Sequence, residues 1–194
     1  MTLMTAFTLP VHNAQHHFRR LLKAMSEPGI IVTLPDTPAG WTPFSPATTG
    51  LLLTLSDQDT PLWLSPALNT ELTRENLRFH CSSPLTDDSA DAAIAVCDAS
   101  LEVRQILSFT HGSDIAPETG ATVIIQIDSL SGGRPLRLTG PGIADDRVIA
   151  PRLPNSVLDY LSDRPLRFPQ GIDFIFTCGE RLLALPRTTH VEVC

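Results

Sequence analysis

The most suggestive stretch for chemistry is Pro186-Arg187-Thr188-Thr189-His190, which sets a guanidinium, two hydroxyls and an imidazole side by side just after a run that reads as a strand. Strand ends are where α/β sheets tend to present ligand groups. Arg134 and Arg137 can add positive charge from the neighbouring predicted hairpin. A guanidinium offers two parallel hydrogen bonds to phosphate or phosphonate oxygens, so Arg134, Arg187 and His190 form a candidate anion site. The alternative is an ordinary polar strand end whose arginine sits in a salt bridge. Only one of the 14 basic residues is a lysine, Lys23. That imbalance suits oxyanion recognition, although GC-rich coding alone produces the same pattern.

Other reactive groups have plainer explanations. His12 and His16 are four apart, a spacing that can place two imidazoles on one helix face, but neither H-E-x-x-H nor a nearby third ligand accompanies them. Solvated or capping histidines are therefore expected for His12, His16 and His17, and no metal site. His80 beside Cys81 is adjacency alone and makes no dyad. Any lysine Schiff base must use Lys23, which lies opposite the apolar stripe of its helix. Gly140-Pro141-Gly142 lacks the third glycine of a dinucleotide fingerprint and reads as a tight turn. Ser131-Gly132-Gly133-Arg134 lacks the lysine of a phosphate-binding loop, and no G-x-S-x-G elbow occurs. Cys81, Cys97, Cys178 and Cys194 are too scattered for a disulfide framework or zinc module and are expected to be reduced, buried thiols.

The elements that must hold these groups alternate through the first 110 residues in the manner of an α/β protein. From Asn13, a plausible N-cap, the apolar residues Phe18, Leu21, Leu22 and Met25 recur at helical spacing up to Glu27-Pro28-Gly29. The opposite face carries His16, Arg20, Lys23 and Glu27, a polar surface open to a partner. Ile30 to Leu34 reads as a buried strand, and helices are predicted over 48–55, 70–79, 101–109 and 155–161. Strands are predicted over 61–64 and 92–96. Val123, Ile125 and Ile127 alternate with partly polar neighbours, and Ser131-Gly132-Gly133 is expected to turn that strand back into Arg134 to Thr139 as a hairpin. A second hairpin joins Gly171–Thr177 to Arg181–Leu185 around Cys178-Gly179-Glu180. The expected fold is α/β, a mixed sheet flanked by helices, in one domain spanning residues 1–194.

Composition narrows the function classes. Hydrophobic residues make up 42% and charged residues 18%, enough apolar material for one self-sufficient core. No apolar run approaches the ~20 residues of a membrane span. Met1 to Pro10 carries no basic residue ahead of a long apolar stretch, so no secretory leader is read there and a cytoplasmic protein is expected. A net charge of −7 argues against a nucleic-acid platform. Residues 1–133 carry 6 basic against 14 acidic residues, whereas residues 134–194 carry 8 against 7, so what cationic potential exists lies in the C-terminal third. Low charge with a mean hydropathy of +0.08 suggests more apolar surface than a monomer leaves in water, hence a homodimer. Trp41, Phe44 and Phe168, beside prolines, are candidate docking anchors.

Three blocks together carry a resemblance. They are Phe18-Arg19-Arg20-Leu21-Leu22-Lys23-Ala24-Met25-Ser26-Glu27-Pro28-Gly29; then Leu130-Ser131-Gly132-Gly133-Arg134 with Leu136 to Ile143; and finally Gly171-Ile172-Asp173, Thr177 to Ala184 and Pro186 to Val191. In this order, spanning nearly the whole chain, they resemble the PhnH family, the H subunit of the bacterial carbon-phosphorus lyase core complex. Residues 84–118 are the least constrained part. The resemblance implies a fold similar to the large domain of pyridoxal-phosphate (PLP)-dependent transferases, without use of PLP. It implies a homodimer that joins the G, I and J subunits, with a functional link to the L subunit. It further implies a part in attack of an alkylphosphonate on the ribose C1 of ATP, releasing adenine and forming a ribose 1-alkylphosphonate 5-triphosphate. No catalytic residue transfers with the resemblance.

Three readings follow: a non-autonomous subunit of this ribosyl-transfer system, a structural scaffold that docks its catalytic subunits, and a free-standing transferase on the pyridoxal-enzyme fold. The single lysine argues against the usual chemistry of the third.

Overall fold

The computed structural model describes residues 3–165 and 168–194. Met1 and Thr2, part of the stretch read as carrying no leader, lie outside it, as do Leu166 and Arg167. A central sheet of six strands runs in the order β1-β8-β7-β4-β3-β2, where β1 is Ile31–Thr33, β2 Leu62–Leu64, β3 Ile94–Cys97, β4 Thr122–Gln126, β7 Asp173–Cys178 and β8 Arg181–Leu185. The neighbours β2, β3, β4 and β7 are parallel, and β8 runs against both β7 and β1. A second, antiparallel sheet has the order β6-β5-β9, formed by Arg147–Ile149, Leu136–Thr139 and His190–Val193. The expectation of a mixed sheet flanked by helices holds, with this small sheet added.

Each face of the central sheet has its own core. On one, α1 (Pro10–Ser26), α2 (Pro46–Leu55) and α3 (Glu71–Cys81) cover Ile94, Val96, Ile124, Ile175, Leu182 and Ala184. On the other, α4 (Val103–Ser108), α5 (Asn155–Ser162) and the small sheet cover Ala95, Val123, Ile125, Phe174, Phe176 and Leu183. A strand covered on both sides cannot alternate apolar and polar residues, which is why β3 reads Ile-Ala-Val-Cys and is buried throughout. No helix of the described residues is long and apolar enough to cross a membrane.

Several sequence expectations are corrected. The stretch 122–126 is not half of a hairpin with 134–139: β4 lies between β3 and β7, and β5 belongs to the other sheet. The Ser131-Gly132-Gly133 segment instead pairs with the chain at 150–152, Gly133 N–H donating to Ala150 O at 2.8 Å and Arg152 N–H to Ser129 O at 2.9 Å. The polar Gln126, at the end of β4, is accounted for by a contact remote in the chain: it accepts from Ser45 N–H at 2.5 Å and donates to Pro43 O at 3.1 Å.

Helix α1 starts at Pro10, whose fixed φ suits the first helical turn, and not after Asn13. Asn13 is buried inside the helix and its amide donates to Asp36 O at 3.3 Å. The buried face is Asn13, His17, Leu21 and Ala24, leaving Phe18 and Leu22 of the predicted stripe 45% and 50% exposed. His17, expected to be solvated or capping, is fully buried and its Nε2–H donates to Pro35 O at 2.7 Å. Trp41 and Phe44 are core residues rather than docking anchors; only Phe168 of that trio is exposed. Trp41 Nε1–H donates to Thr5 O at 2.9 Å, and His80 stacks on its ring at 5.1 Å. Of the four cysteines Cys81 and Cys97 are buried, Cys178 is half-buried and Cys194 is exposed.

Candidate functional site

The β7–β8 hairpin builds one wall of the site. Its register sets Phe174 opposite Leu185, so Asp173 at the start of β7 meets the chain as it leaves β8 through Pro186. Arg187 N–H donates to Asp173 Oδ1 at 2.7 Å, Nε lies 3.2 and 3.1 Å from the two carboxylate oxygens, and Nη2 donates to Oδ2 at 2.6 Å. Nη1 reaches Pro117 O at 2.6 Å. This ion pair is largely buried, with side-chain exposures of 12% and 16%. Close backbone approach makes room for it: a Cβ on Gly120 would fall 2.6 Å from Arg187 Nη1, and Gly171, at φ +143°, faces the Arg187 Cβ.

A turn then closes as Thr189 N–H donates to Pro186 O at 2.9 Å, and His190 opens β9. The second wall comes from the end of α5. Leu161 and Ser162 finish the helix, Asp163 follows, and Arg164 reaches across so that its Nη1–H donates to Arg187 O at 2.6 Å. Between the walls lies a pocket of about 390 Å³, lined by Asp163, Arg164, Arg187, Thr188, Thr189 and His190 among others. Within reach of the Arg187 charge, His111 Nε2 and Tyr160 Oη are 3.1 Å apart. Burial lowers the His111 pKa, and the Arg187 charge adds to that, while burial raises that of Tyr160. Burial also pulls the Arg164 guanidinium below its ordinary value, opposed by Tyr160 and Asp173.

Two polar atoms of residues in the lining stand out. Arg164 Nη2 and Thr189 Oγ1 are shielded from solvent and have no hydrogen-bond partner among the described residues. A buried donor without an acceptor costs about 1–3 kcal/mol, and more when charged. Chemically the pocket offers hydrogen-bond donors beside positive charge, a setting for an anion. Among the described residues no cluster of three His, Cys, Asp or Glu could hold a metal ion.

The structure brings Arg187 and His190 into one pocket with Thr188 and Thr189. Arg134 lies elsewhere. His190 pairs with Thr139 at one end of β5 whereas Arg134 precedes the other end, and it lines a separate concavity with Arg152, Gly132, Gly133 and Asn155. Arg137 is engaged on the small sheet by Asp146 at 3.3 Å and Glu192 at 3.7 Å. On α1, His16 and Arg20 border a shallow recess with Arg19 and Pro35, and Lys23 is paired with Glu27 on the exposed surface. Arg164 and the pairing role of Asp173 escaped the sequence reading. Asp173 was one hairpin register away from Arg187, whereas nothing local marks Arg164 beyond its place after a helix end.

Comparison with known proteins gives the context of this site. The family model described as "Bacterial phosphonate metabolism protein (PhnH)" matches residues 5–192. The chain is 38% identical over 188 residues, 96% of its own length and 94% of the relative's, to "Alpha-D-ribose 1-methylphosphonate 5-triphosphate synthase subunit PhnH" of Rhizobium meliloti (strain 1021). It is 32% identical over 181 residues, 92% of its length and 86% of the relative's, to "Putative C-P lyase subunit protein HtxG" of Stutzerimonas stutzeri. The chain belongs to the PhnH family.

Proposed function

We propose that this PhnH-family chain is a subunit of an alpha-D-ribose 1-methylphosphonate 5-triphosphate synthase system. In that role it takes part in converting ATP and methylphosphonate to ribose 1-methylphosphonate 5-triphosphate and adenine, and has no turnover of its own. The observation that carries this is the match over residues 5–192, together with a relative of that name at 38% identity across nearly both chains. The reaction expels a nucleobase from C1 and positions an anionic nucleophile there, work that rests on orientation and charge stabilisation.

PLP is not bound, a reading supported by the place of Lys23 on the exposed face of α1, in an ion pair with Glu27. The fold is that of the PLP-transferase large domain, supported by a largely parallel sheet in which one strand, β8, runs against its neighbours. A homodimer is supported by the exposed Val11, Phe18 and Leu22 of α1 and by Ile31 on the edge strand β1. The G, I and J subunits are the expected partners and the L subunit a functional one, in the cytoplasm; the face His16, Arg20, Lys23 and Glu27 remains available to a partner.

Adenine release from ATP plus methylphosphonate tests the function. It should be seen with the complete set of subunits and fail both for this chain alone and for the partners without it. Steady release by this chain alone overturns the subunit reading, and full release without it reduces the chain to a scaffold.

A further inference from the structure

We infer that the pocket between the end of α5 and the 186–189 turn binds a tetrahedral oxyanion bearing a terminal PO₃ group, held by Arg164 and Thr189. Arg187 then serves as the positioning residue beneath them. The choice of a PO₃ group rests on the functional reading above; the choice of an anion does not.

Two arginines, Arg164 and Arg187, stand at this pocket. Both guanidinium groups are withdrawn from water, and a withdrawn charge requires a counter-charge and satisfied donors. Arg187 has both, since Asp173 faces it with two oxygens and Pro117 O takes a further N–H. Arg164 has neither: Nη1–H is spent on a neutral carbonyl, that of Arg187, and Nη2 is unpartnered. Asp173 reaches Arg164 only through its field, its oxygens being committed to Arg187.

Thr189 adds an independent observation. The residue is 2% exposed and its hydroxyl is unpaired, and it borders the same pocket. Two residues that border one space of about 390 Å³ therefore each carry a polar atom without a partner, a charged donor on Arg164 and a hydroxyl on Thr189. A cationic occupant would leave the charged Arg164 donor unpaired, and an apolar one would leave both atoms so. A PO₃ group accepts at every oxygen and supplies the missing negative charge. The Arg164–Arg187 carbonyl contact explains why Arg187 matters without touching the anion: the Asp173 ion pair fixes the turn whose carbonyl aims the Arg164 fork. Thr188 and His190 supply further donors on the lining, and Asp163, exposed there, is the one carboxylate among the described lining residues that opposes an anion.

The experiment is titration calorimetry of the purified full chain with methylphosphonate, inorganic phosphate and ATP as separate probes. Binding of methylphosphonate with the others weak identifies the phosphonate as occupant, and ATP binding strongest identifies its terminal phosphate; either supports the site. Arg164→Gln should weaken the preferred probe by about 10-fold or more and Thr189→Val by several-fold, whereas Asp163→Asn should tighten it. Arg134→Gln, in the other concavity, should change nothing. If Arg164→Gln does not fold, as its melting curve would show, Thr189→Val and Asp163→Asn still decide. No binding of any probe at millimolar concentration, or affinity indifferent to these substitutions, overturns the proposal. Adenine release by the reconstituted subunits is scored separately. Binding without any need for this chain in turnover defeats the functional reading and spares the anion site; the reverse result defeats the site alone.

Discussion

Replacing Arg187 by alanine should destabilise the protein by about 3 kcal/mol, toward the lower end of what breaking a buried ion pair costs. The figure follows from what is left behind. Asp173, with its side chain 16% exposed, would keep only the Arg187 backbone N–H of the donors that now face it, and Pro117 O would lose its 2.6 Å partner. For a chain of this size each kcal/mol shifts the melting temperature by about 2–4 °C, so a fall of roughly 6–12 °C is expected by calorimetry or circular dichroism. Most of that penalty is the stranded carboxylate and not the lost attraction, which makes a second expectation possible. The double variant Arg187→Ala/Asp173→Ala should melt above the single Arg187→Ala variant, because it removes the uncompensated charge. Lys23→Ala, which breaks an exposed pair, should cost about 0.5 kcal/mol or less. If Arg187→Ala melts within about 2 °C of the parent, or the double variant loses as much as the two single variants added together, the ion pair does not hold the turn.

Three further expectations concern residues outside the pocket. Gly50→Ala should lose about 1–3 kcal/mol despite better helix propensity, because the new Cβ would fall 2.5 Å from Cε1 of the fully buried His17; a melting temperature at or above that of the parent refutes this. Burial holds His17 below its ordinary value of 6.5, so the unfolded chain takes up the proton first as pH falls. Stability should thus be intact above about pH 7 and decline below about 6.5 until the folded value is reached, with a shallower decline in His17→Gln; an unchanged slope in that variant removes His17 as the cause. Burial pushes the Cys81 thiol up to about 12 and raises that of Cys97 as well. An aromatic disulfide reagent should therefore label the exposed Cys194 first in the native protein and reach Cys81 and Cys97 only after denaturation, and prompt labelling of all four thiols contradicts that order.

The elements were legible in the sequence where local pattern decides them and illegible where packing does. Strand β1, helix α2 and the β7–β8 hairpin sit within a few residues of their predicted places, because apolar runs and punctuation by Pro, Gly and Asp are local. The direction faced by α1 is not fixed by its pattern, since an arc containing Phe18, Leu21, Leu22 and Met25 can be turned either way about its axis. The fold turns it so that Asn13 and His17 go inward, a choice that depends on the carbonyls of Pro35 and Asp36 being there to accept from them. Trp41 looked like an anchor because it stands among glycine and prolines; the acceptor that lets its indole N–H be buried is Thr5 O, 36 positions away. Likewise β4 reads as a half-exposed strand only because Gln126 at its end is spent on the start of α2.

The site divides along the same line. Once Cys178-Gly179-Glu180-Arg181 is taken as the hairpin turn, Cys178 pairs with Arg181, and counting back along both strands sets Asp173 against the residue just before Arg187. The counter-ion of Arg187 was therefore within reach of the sequence, and with it the consequence that its donors face a carboxylate. Arg164 was not within reach. It enters from the end of α5, whose placement is fixed by Val157, Leu158, Tyr160 and Leu161 packing into the core beside Phe174 and Leu185, contacts that no local spacing encodes. A guanidinium whose counter-ion lies on the adjoining strand is held by the fold itself. One delivered by tertiary packing to a place without a carboxylate of its own is the one left with a donor to offer a ligand.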